Sequence, residues 1–190
     1  MKDFLALVGA AALATIVASP TRASEETARL AAPPPIVVEA RLEDHRGRSQ
    51  RFRRDVLGKA LTLVSFTFVG CTVQCPISDT YMTLVEDELT RAGRQDVRLV
   101  TLTINPDNRP DDLKAHAAQF DPGPFRLFLT GGFSELMPLL DGLGMRFGSA
   151  SDHPFFYLVF DARGGFIGRV EEKDASPEVL LARLGGLARQ

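Results

Sequence analysis

The sequence is poor in cysteine and histidine, with two of the first and three of the second among 190 residues. Two cysteines cannot build the disulfide framework of small secreted domains, and with 45% hydrophobic residues the chain can form a core without one. A structural zinc site needs four ligands, and the sequence offers too few obvious ones. We therefore expect the two cysteines to form one redox-active or metal-binding site.

Charge of one sign is also missing. Lysine and arginine number 22 against 24 acidic residues, the formal net charge is −2, and there is no long basic run. Surfaces that bind nucleic acid normally carry clustered basic residues. The sequence therefore argues against nucleic acid as the main partner.

Long hydrophobic runs are confined to the N-terminus, where residues Phe4 to Ala18 are almost wholly apolar. This run is short for a membrane span, which needs about 20 residues. With Lys2 before it and the small residue Ala23 after it, the segment resembles a secretory signal that is cleaved after Ala23. Asp3 weakens the positive start, so a retained membrane anchor is the alternative. Both forms predict an exported protein, periplasmic or otherwise extracytoplasmic, where a cysteine pair can be oxidised.

Residues 24–35 follow as a polar, proline-rich linker that ends in three consecutive prolines. We expect the folded domain to comprise residues 36–190 and to begin with a β-hairpin, whose strands are Ile36–Leu42 and Ser49–Phe52. His45 lies among charged residues in the turn between them. We expect it to be a solvated histidine and not a ligand.

The stretch from Leu61 to Tyr81 organises this domain. Its first part, Leu61–Val69, is an apolar, β-branched and aromatic run, typical of a strand that is buried on both faces. Gly70, Cys71 and Cys75 follow, and then a helix. Apolar residues recur in this helix at the spacing of one buried face, at Ile77, Tyr81, Leu84, Val85 and Leu89.

A second apolar strand at Val97–Ile104 completes a strand, helix, strand unit, so the two strands should be parallel. Their carboxyl ends then meet at one sheet edge, where open α/β sheets place their sites, and Asn105 lies near the cysteines. Phe125–Leu129 predicts a further strand. Phe155–Asp161 and Phe166–Val170 predict a hairpin with glycines in its turn.

Helical patterns occupy the connections between these strands. They lie within Asp107–Phe120, at Phe133–Leu140 and after Ser176. We expect His116 in the first of these helices to lie on the helix surface, and Met137 in the second to fill the core. The pattern as a whole predicts an α/β fold.

The spacing of the cysteines predicts that their sulfurs converge, because residues i and i+4 share one face of a helical turn. Pro76 favours the first helical position and makes Cys75 the predicted N-cap, where the helix dipole lowers a thiol pKa. Two thiolates suit monovalent copper, and one added imidazole can hold either copper oxidation state. The plain alternative is an inert buried pair or a static disulfide.

His153 is the predicted third group, as a copper ligand or a partner of the thiols. It directly precedes the strand that begins at Phe155, and a strand antiparallel to the cysteine strand starts at the edge where the cysteines lie. Asp152 is available to orient the imidazole.

Together these residues resemble the SCO/SenC family. The resemblance covers residues from about 36 to the C-terminus. It rests on Phe68-Val69-Gly70, Cys71-Thr72-Val73-Gln74-Cys75-Pro76, the strand ending in Asn105-Pro106, and Asp152-His153 before Tyr157-Leu158-Val159.

The resemblance implies a thioredoxin-like three-layer sandwich, here with an N-terminal β-hairpin extension. It also implies an exported and often membrane-tethered metallochaperone, with Cys71, Cys75 and His153 as copper ligands. Family members help to assemble the binuclear copper A centre of cytochrome c oxidase, as copper donor or as thiol reductase. A subunit of such an oxidase is the implied client.

Three positions depart from the family pattern. Asn105 replaces the usual aspartate, the connection from Gly144 to Asp152 is short, and Pro154 follows His153 in place of a small polar residue. Thioredoxin-like oxidoreductases carry a cis proline facing their cysteines, so we predict a cis His153–Pro154 bond that packs against the pair. Such a bond would favour disulfide exchange without abolishing copper binding.

Three functions therefore remain open at the level of sequence. The first is an exported copper-binding assembly protein. The second is a thiol:disulfide oxidoreductase that uses Cys71 and Cys75 as its catalytic pair, acting on cysteines of a copper or cytochrome client. The third is a binding or structural module with a fixed disulfide.

Overall fold

The apolar run after residue 60 forms the central strand of a seven-stranded sheet in a computed structural model that describes residues 33–71, 74–145 and 154–185. The strands are β1 (Arg41–Asp44), β2 (Ser49–Arg51), β3 (Leu61–Thr67), β4 (Val97–Thr103), β5 (Arg126–Thr130), β6 (Phe156–Phe160) and β7 (Phe166–Glu171). The helices are α1 (Gln74–Arg91), α2 (Pro110–Ala117), α3 (Phe133–Gly142) and α4 (Pro177–Arg183). A π-helical turn at Phe52–Val56 and two short 3-10 turns, Leu57–Lys59 and Glu172–Asp174, complete the described elements.

The strand order is β2-β1-β5-β4-β3-β6-β7. Strand β3 pairs parallel with β4, with Thr67 opposite Thr103, and β4 pairs parallel with β5. Strand β6 pairs antiparallel with β3, so it begins at the edge where β3 ends. These pairings confirm the predicted parallel unit and the hairpin β6–β7.

Apolar side chains cover both faces of the sheet. Helices α1 and α4 pack over one face through residues such as Met82, Leu89 and Leu180. Helix α3 and the π-helical turn cover the other face, with Leu139 and Phe52 fully buried. The result is the expected thioredoxin-like three-layer α/β/α sandwich.

The entry to the domain differs from the prediction. The first strand begins only at Arg41, because the backbone of Ile36 pairs with the end of α3 and not with the sheet: the Ile36 amide donates to the Gly142 carbonyl at 2.7 Å. The hairpin itself is present, with Glu43 opposite Ser49. Within the described part of the chain, no helix is long and apolar enough to cross a membrane.

Helix α4 begins as predicted. Its N-cap is Ser176, whose hydroxyl accepts a hydrogen bond from the Val179 amide at 3.3 Å, and Pro177 occupies the first turn.

Candidate functional site

The cysteines lie where β3 gives way to α1. Gly70 has a φ of +93°, a left-handed conformation that side chains rarely adopt, and it turns the chain directly before Cys71. The Cys71 amide closes this turn by donating to the Phe68 carbonyl at 2.9 Å. Cys71 is partly exposed, whereas Cys75 is 0% exposed, and both are in the thiol form. One sulfur therefore lies near solvent and the other inside the domain.

Cys75 lies within the first turn of α1, which begins at Gln74, so the prediction of Cys75 as N-cap was wrong. The predicted low pKa was also wrong. Burial raises the pKa of Cys75 to about 12, and interaction with the Cys71 thiol raises it further, although hydrogen bonds from the Phe68 amide and the Thr67 hydroxyl act in the opposite direction. The metal-free pair at neutral pH thus has a protonated buried thiol beside a more accessible one.

Backbone geometry holds the Cys75 sulfur in place. The Phe68 amide donates to it at 3.3 Å, and Phe68 is the first residue after β3. This amide would also donate to a thiolate or to a metal-bound sulfur. The end of the strand thus supplies a fixed donor to the site.

His153 and Asp152 lie outside the described residues, and so does the His153–Pro154 bond that we predict to be cis. What is described is the start of β6 beyond them. Phe156 packs against Phe66, near the end of β3, with ring centroids 5.0 Å apart. Within residues 33–71, 74–145 and 154–185, no group of three or more histidine, cysteine or acidic side chains could hold a metal ion.

The face that α1 turns inward is more polar than predicted. Ile77 and Leu84 are 52% and 44% exposed, whereas Asp79 and Glu86 are buried together with Met82. Buried carboxylates require partners, and here those partners come from distant parts of the sequence. Local apolar spacing could not indicate this face.

Asp79 accepts hydrogen bonds from several elements. Its Oδ2 atom lies 2.9 Å from His116 Nε2 and accepts from the Thr67 hydroxyl at 3.1 Å, and its Oδ1 atom accepts from Thr101 at 3.3 Å. His116 is therefore buried, and the prediction of a surface position was wrong. It faces inward because α2 lies against the sheet, where its ring also contacts Phe128.

Arg126, on β5, is 0% exposed and lies between two carboxylates. It contacts Asp79 Oδ1 at 3.3 Å and Glu86 Oε2 at 3.8 Å, and it donates to the Thr83 hydroxyl at 2.7 Å. Its guanidinium also lies over the Phe128 ring, 4.6 Å from the centroid. Burial lowers the pKa of Arg126, and the two carboxylates oppose this shift. We call Thr67, Asp79, Glu86, His116 and Arg126 the buried polar cluster.

His45 is likewise buried and not solvated. Its Nδ1 atom accepts a hydrogen bond from the Phe128 amide at 3.2 Å, and its own amide donates to the Phe128 carbonyl at 3.0 Å. The turn is pulled over the end of β5 by these two bonds. Burial lowers the pKa of His45, and the charge of Arg46 lowers it further.

Comparison with known families settles the classification. The SCO1/SenC family model matches residues 31–189. The chain belongs to the SCO1/SenC family. A search of curated proteins gave no match.

Solved structures share the fold of this SCO1/SenC protein at low sequence identity. ScoI of Bradyrhizobium japonicum with copper bound is 21% identical, covers 79% of this chain and 98% of its own, and superposes with a TM-score of 0.66. BsSco, described as having a disulfide switch and as a member of the Sco family of cytochrome c oxidase assembly proteins, is 19% identical over 85% of this chain and 99% of its own, with a TM-score of 0.66. A SCO1/SenC family lipoprotein of Bacillus anthracis is 18% identical over 82% of this chain and 96% of its own, with a TM-score of 0.68.

One departure of this SCO1/SenC protein from the family pattern has a local explanation. The Asn105 side chain accepts a hydrogen bond from the Asp107 amide at 3.0 Å, and the Asn105 amide donates to the Thr103 hydroxyl at 3.2 Å. Asparagine thus shapes the turn after β4 as aspartate would, without the negative charge.

Proposed function

We propose that this SCO1/SenC protein is an exported copper-binding assembly protein. In this proposal Cys71, Cys75 and His153 hold copper as cargo for a copper centre such as that of cytochrome c oxidase. The observation that carries the proposal is the pair of interacting thiols at the junction of β3 and α1. The copper-bound state of the Bradyrhizobium japonicum relative supports the choice of metal.

The donor set fits monovalent copper. Thiolate sulfur is a soft ligand that selects this ion, and a neutral imidazole extends the site to divalent copper. Each thiol gives up its proton when the metal binds, so burial of Cys75 makes binding depend on the copper–sulfur bond to offset the cost of deprotonation. The Phe68 amide, 3.3 Å from the sulfur, stabilises the resulting negative charge.

The N-terminal segment supports the proposed location. We propose that residues 1–23 direct export and are then cleaved or kept as an anchor, and that residues 24–35 space the domain from that end. The client is then an extracytoplasmic copper protein.

Native mass spectrometry of the reduced full chain with monovalent copper tests the proposal. We expect one copper ion per chain, and loss of copper in Cys75→Ser and in His153→Ala. His45→Asn is the matched control, because it removes a histidine that lies in the hairpin turn and should retain copper. A wild-type chain that takes up no copper would overturn the proposal, and copper retained in His153→Ala would remove that residue from the ligand set.

A second function is favoured by the unequal burial of the cysteines. The more accessible Cys71 thiolate could attack a client disulfide, and the thiolate of Cys75 would then displace the client sulfur from the mixed disulfide. The client is reduced to a dithiol, the pair is oxidised to a disulfide, and an extracytoplasmic dithiol must reduce it again. Turnover that requires both cysteines but not His153 would favour this function over copper delivery.

A further inference from the structure

Thr67 lies between the site and the buried polar cluster. It is the last residue of β3 and is 0% exposed. Its hydroxyl oxygen is 3.1 Å from Asp79 Oδ2 and 3.4 Å from His116 Nε2. The same hydroxyl also acts as a hydrogen-bond donor toward Cys75. It is thus the link between the buried sulfur and Asp79.

A hydroxyl group has one hydrogen to donate. His116 Nε2 lies 2.9 Å from Asp79 Oδ2, so with Asp79 present as the carboxylate that pairs with Arg126, Nε2 carries a hydrogen and is a donor. A donor cannot accept the Thr67 hydrogen. The Thr67 hydroxyl therefore has two acceptors available, Asp79 and the Cys75 sulfur, and it can serve one at a time.

We propose that the Thr67 hydroxyl is a two-position hydrogen-bond switch for Cys75. When Cys75 is a thiol, its S–H group donates to the Thr67 oxygen and the Thr67 hydroxyl donates to Asp79. When the sulfur holds copper, the hydroxyl turns and donates to the sulfur, alongside the Phe68 amide. Thr67 is a positioning residue in this scheme, because it acts on the metal through Cys75.

The surroundings allow this change without movement of heavy atoms. Only the hydroxyl hydrogen rotates about the bond between carbon and oxygen. Asp79 keeps three other partners, namely His116, Thr101 and Arg126, so its charge stays compensated when Thr67 turns away. The proton that the sulfur loses on binding copper passes to the buffer.

The inference rests on the proposed copper function, and the first experiment measures affinity for monovalent copper by competition with a chelator. Thr67→Val removes the hydroxyl at nearly unchanged volume and should weaken binding roughly tenfold, whereas Thr67→Ser should restore it to within about twofold of wild type. Thr101→Val is the matched control. It removes another hydroxyl donor of Asp79 from the neighbouring strand and should leave the affinity within about twofold. Equal copper affinities of Thr67→Val and Thr67→Ser would overturn the inference.

Asp79→Asn gives a test of sign. A neutral amide competes less well for the Thr67 hydrogen, so copper affinity should rise about threefold, and this gain should vanish in the Thr67→Val background. A gain of equal size in both backgrounds would mean that Asp79 acts only through its charge, and would overturn the switch. If Asp79→Asn fails to fold, the comparison of Thr67→Val with Thr67→Ser decides alone.

A measurement without copper separates failure of this inference from failure of the proposed function. In the dithiol the Cys75 S–H group uses Thr67 as its acceptor, and the disulfide has no such hydrogen. Thr67→Val should therefore shift the dithiol–disulfide equilibrium in a glutathione buffer roughly threefold toward the disulfide, about 15 mV, whereas Thr67→Ser should not. A wild-type chain that binds no copper but shows this shift would refute the copper function and keep the link from Thr67 to Cys75. No shift in Thr67→Val would overturn that link.

Discussion

Arg126 and Asp79 form an ion pair of 3.3 Å in which the side chains are 0% and 1% exposed. A guanidinium does not lose its proton in a protein, so its burial requires compensating carboxylates. Asp79 and Glu86 provide them, both from helix α1. The packing of α1 on the sheet therefore depends on a charge that β5 contributes.

Arg126→Met should destabilise the domain by about 3 to 5 kcal/mol, because it leaves two buried carboxylates without their cation. The measurement is urea unfolding at neutral pH. Arg91→Met is the control, since Arg91 pairs with Glu88 on the helix surface and its loss should cost less than about 0.5 kcal/mol. Similar losses in the two variants would contradict the ascribed role of Arg126.

Asp44→Asn should destabilise the domain at neutral pH by about 1 to 2 kcal/mol. Burial acts to raise the pKa of Asp44, but the Arg48 and Arg46 amides and the Arg48 side chain outweigh it, and the net pKa lies below the ordinary value of 3.8. The folded state thus favours the carboxylate. Its contribution is present above pH 3.8 and is lost as the pH falls through the lowered pKa. Unfolding of both chains across this range checks the sign, and a difference that persists unchanged to the lowest pH would contradict it.

His45→Asn should flatten the dependence of stability on mildly acidic pH. Burial lowers the pKa of His45 below 6.5, so the folded state favours the neutral ring, whose Nδ1 accepts from Phe128. The contribution of the neutral ring is complete above pH 6.5 and is lost as the pH falls through the folded pKa, because the unfolded chain binds the proton first. Asparagine keeps an acceptor and does not titrate. Urea unfolding at about pH 7 and about pH 5 should show a smaller loss in the variant than in wild type, and equal losses would be evidence against this role.

Gly142→Ala should loosen the entry of the chain into the domain. A Cβ atom at this position would overlap with the Ile36 carbonyl oxygen, which belongs to backbone and can move only with the segment. We expect a loss of about 1 to 2 kcal/mol and faster hydrogen exchange at the Ile36 amide. Gly168→Ala is the control, because open space surrounds that position. Unchanged exchange at Ile36 in Gly142→Ala would refute the contact.

The sequence predicted those parts of the fold that depend on local patterns. The run Leu61–Val69 indicated a strand buried on both faces, and the spacing to Val97–Ile104 indicated its parallel neighbour, because apolar periodicity reflects burial directly. The order of elements then placed the cysteines at a strand end. The resemblance to a family supplied the sandwich as a whole.

The polar interior was not predictable in the same way. Asp79 contacts His116 and Arg126, which lie 37 and 47 positions away, and no local pattern relates them. His45 and His116 looked like surface residues because their sequence neighbours are charged or polar. The pKa of Cys75 was missed for the same reason, since burial by distant elements outweighs the position at the start of a helix.

The edge strand β2 has a consequence for how the protein behaves at high concentration. An outer strand exposes unpaired backbone groups that can template intermolecular β-pairing and aggregation. Here the strand is only three residues long, exposed Arg48 and Arg53 lie beside it, and the chain then leaves the sheet in the π-helical turn. Two copies meeting at this edge would bring like charges together over a short ladder, so the edge disfavours self-association.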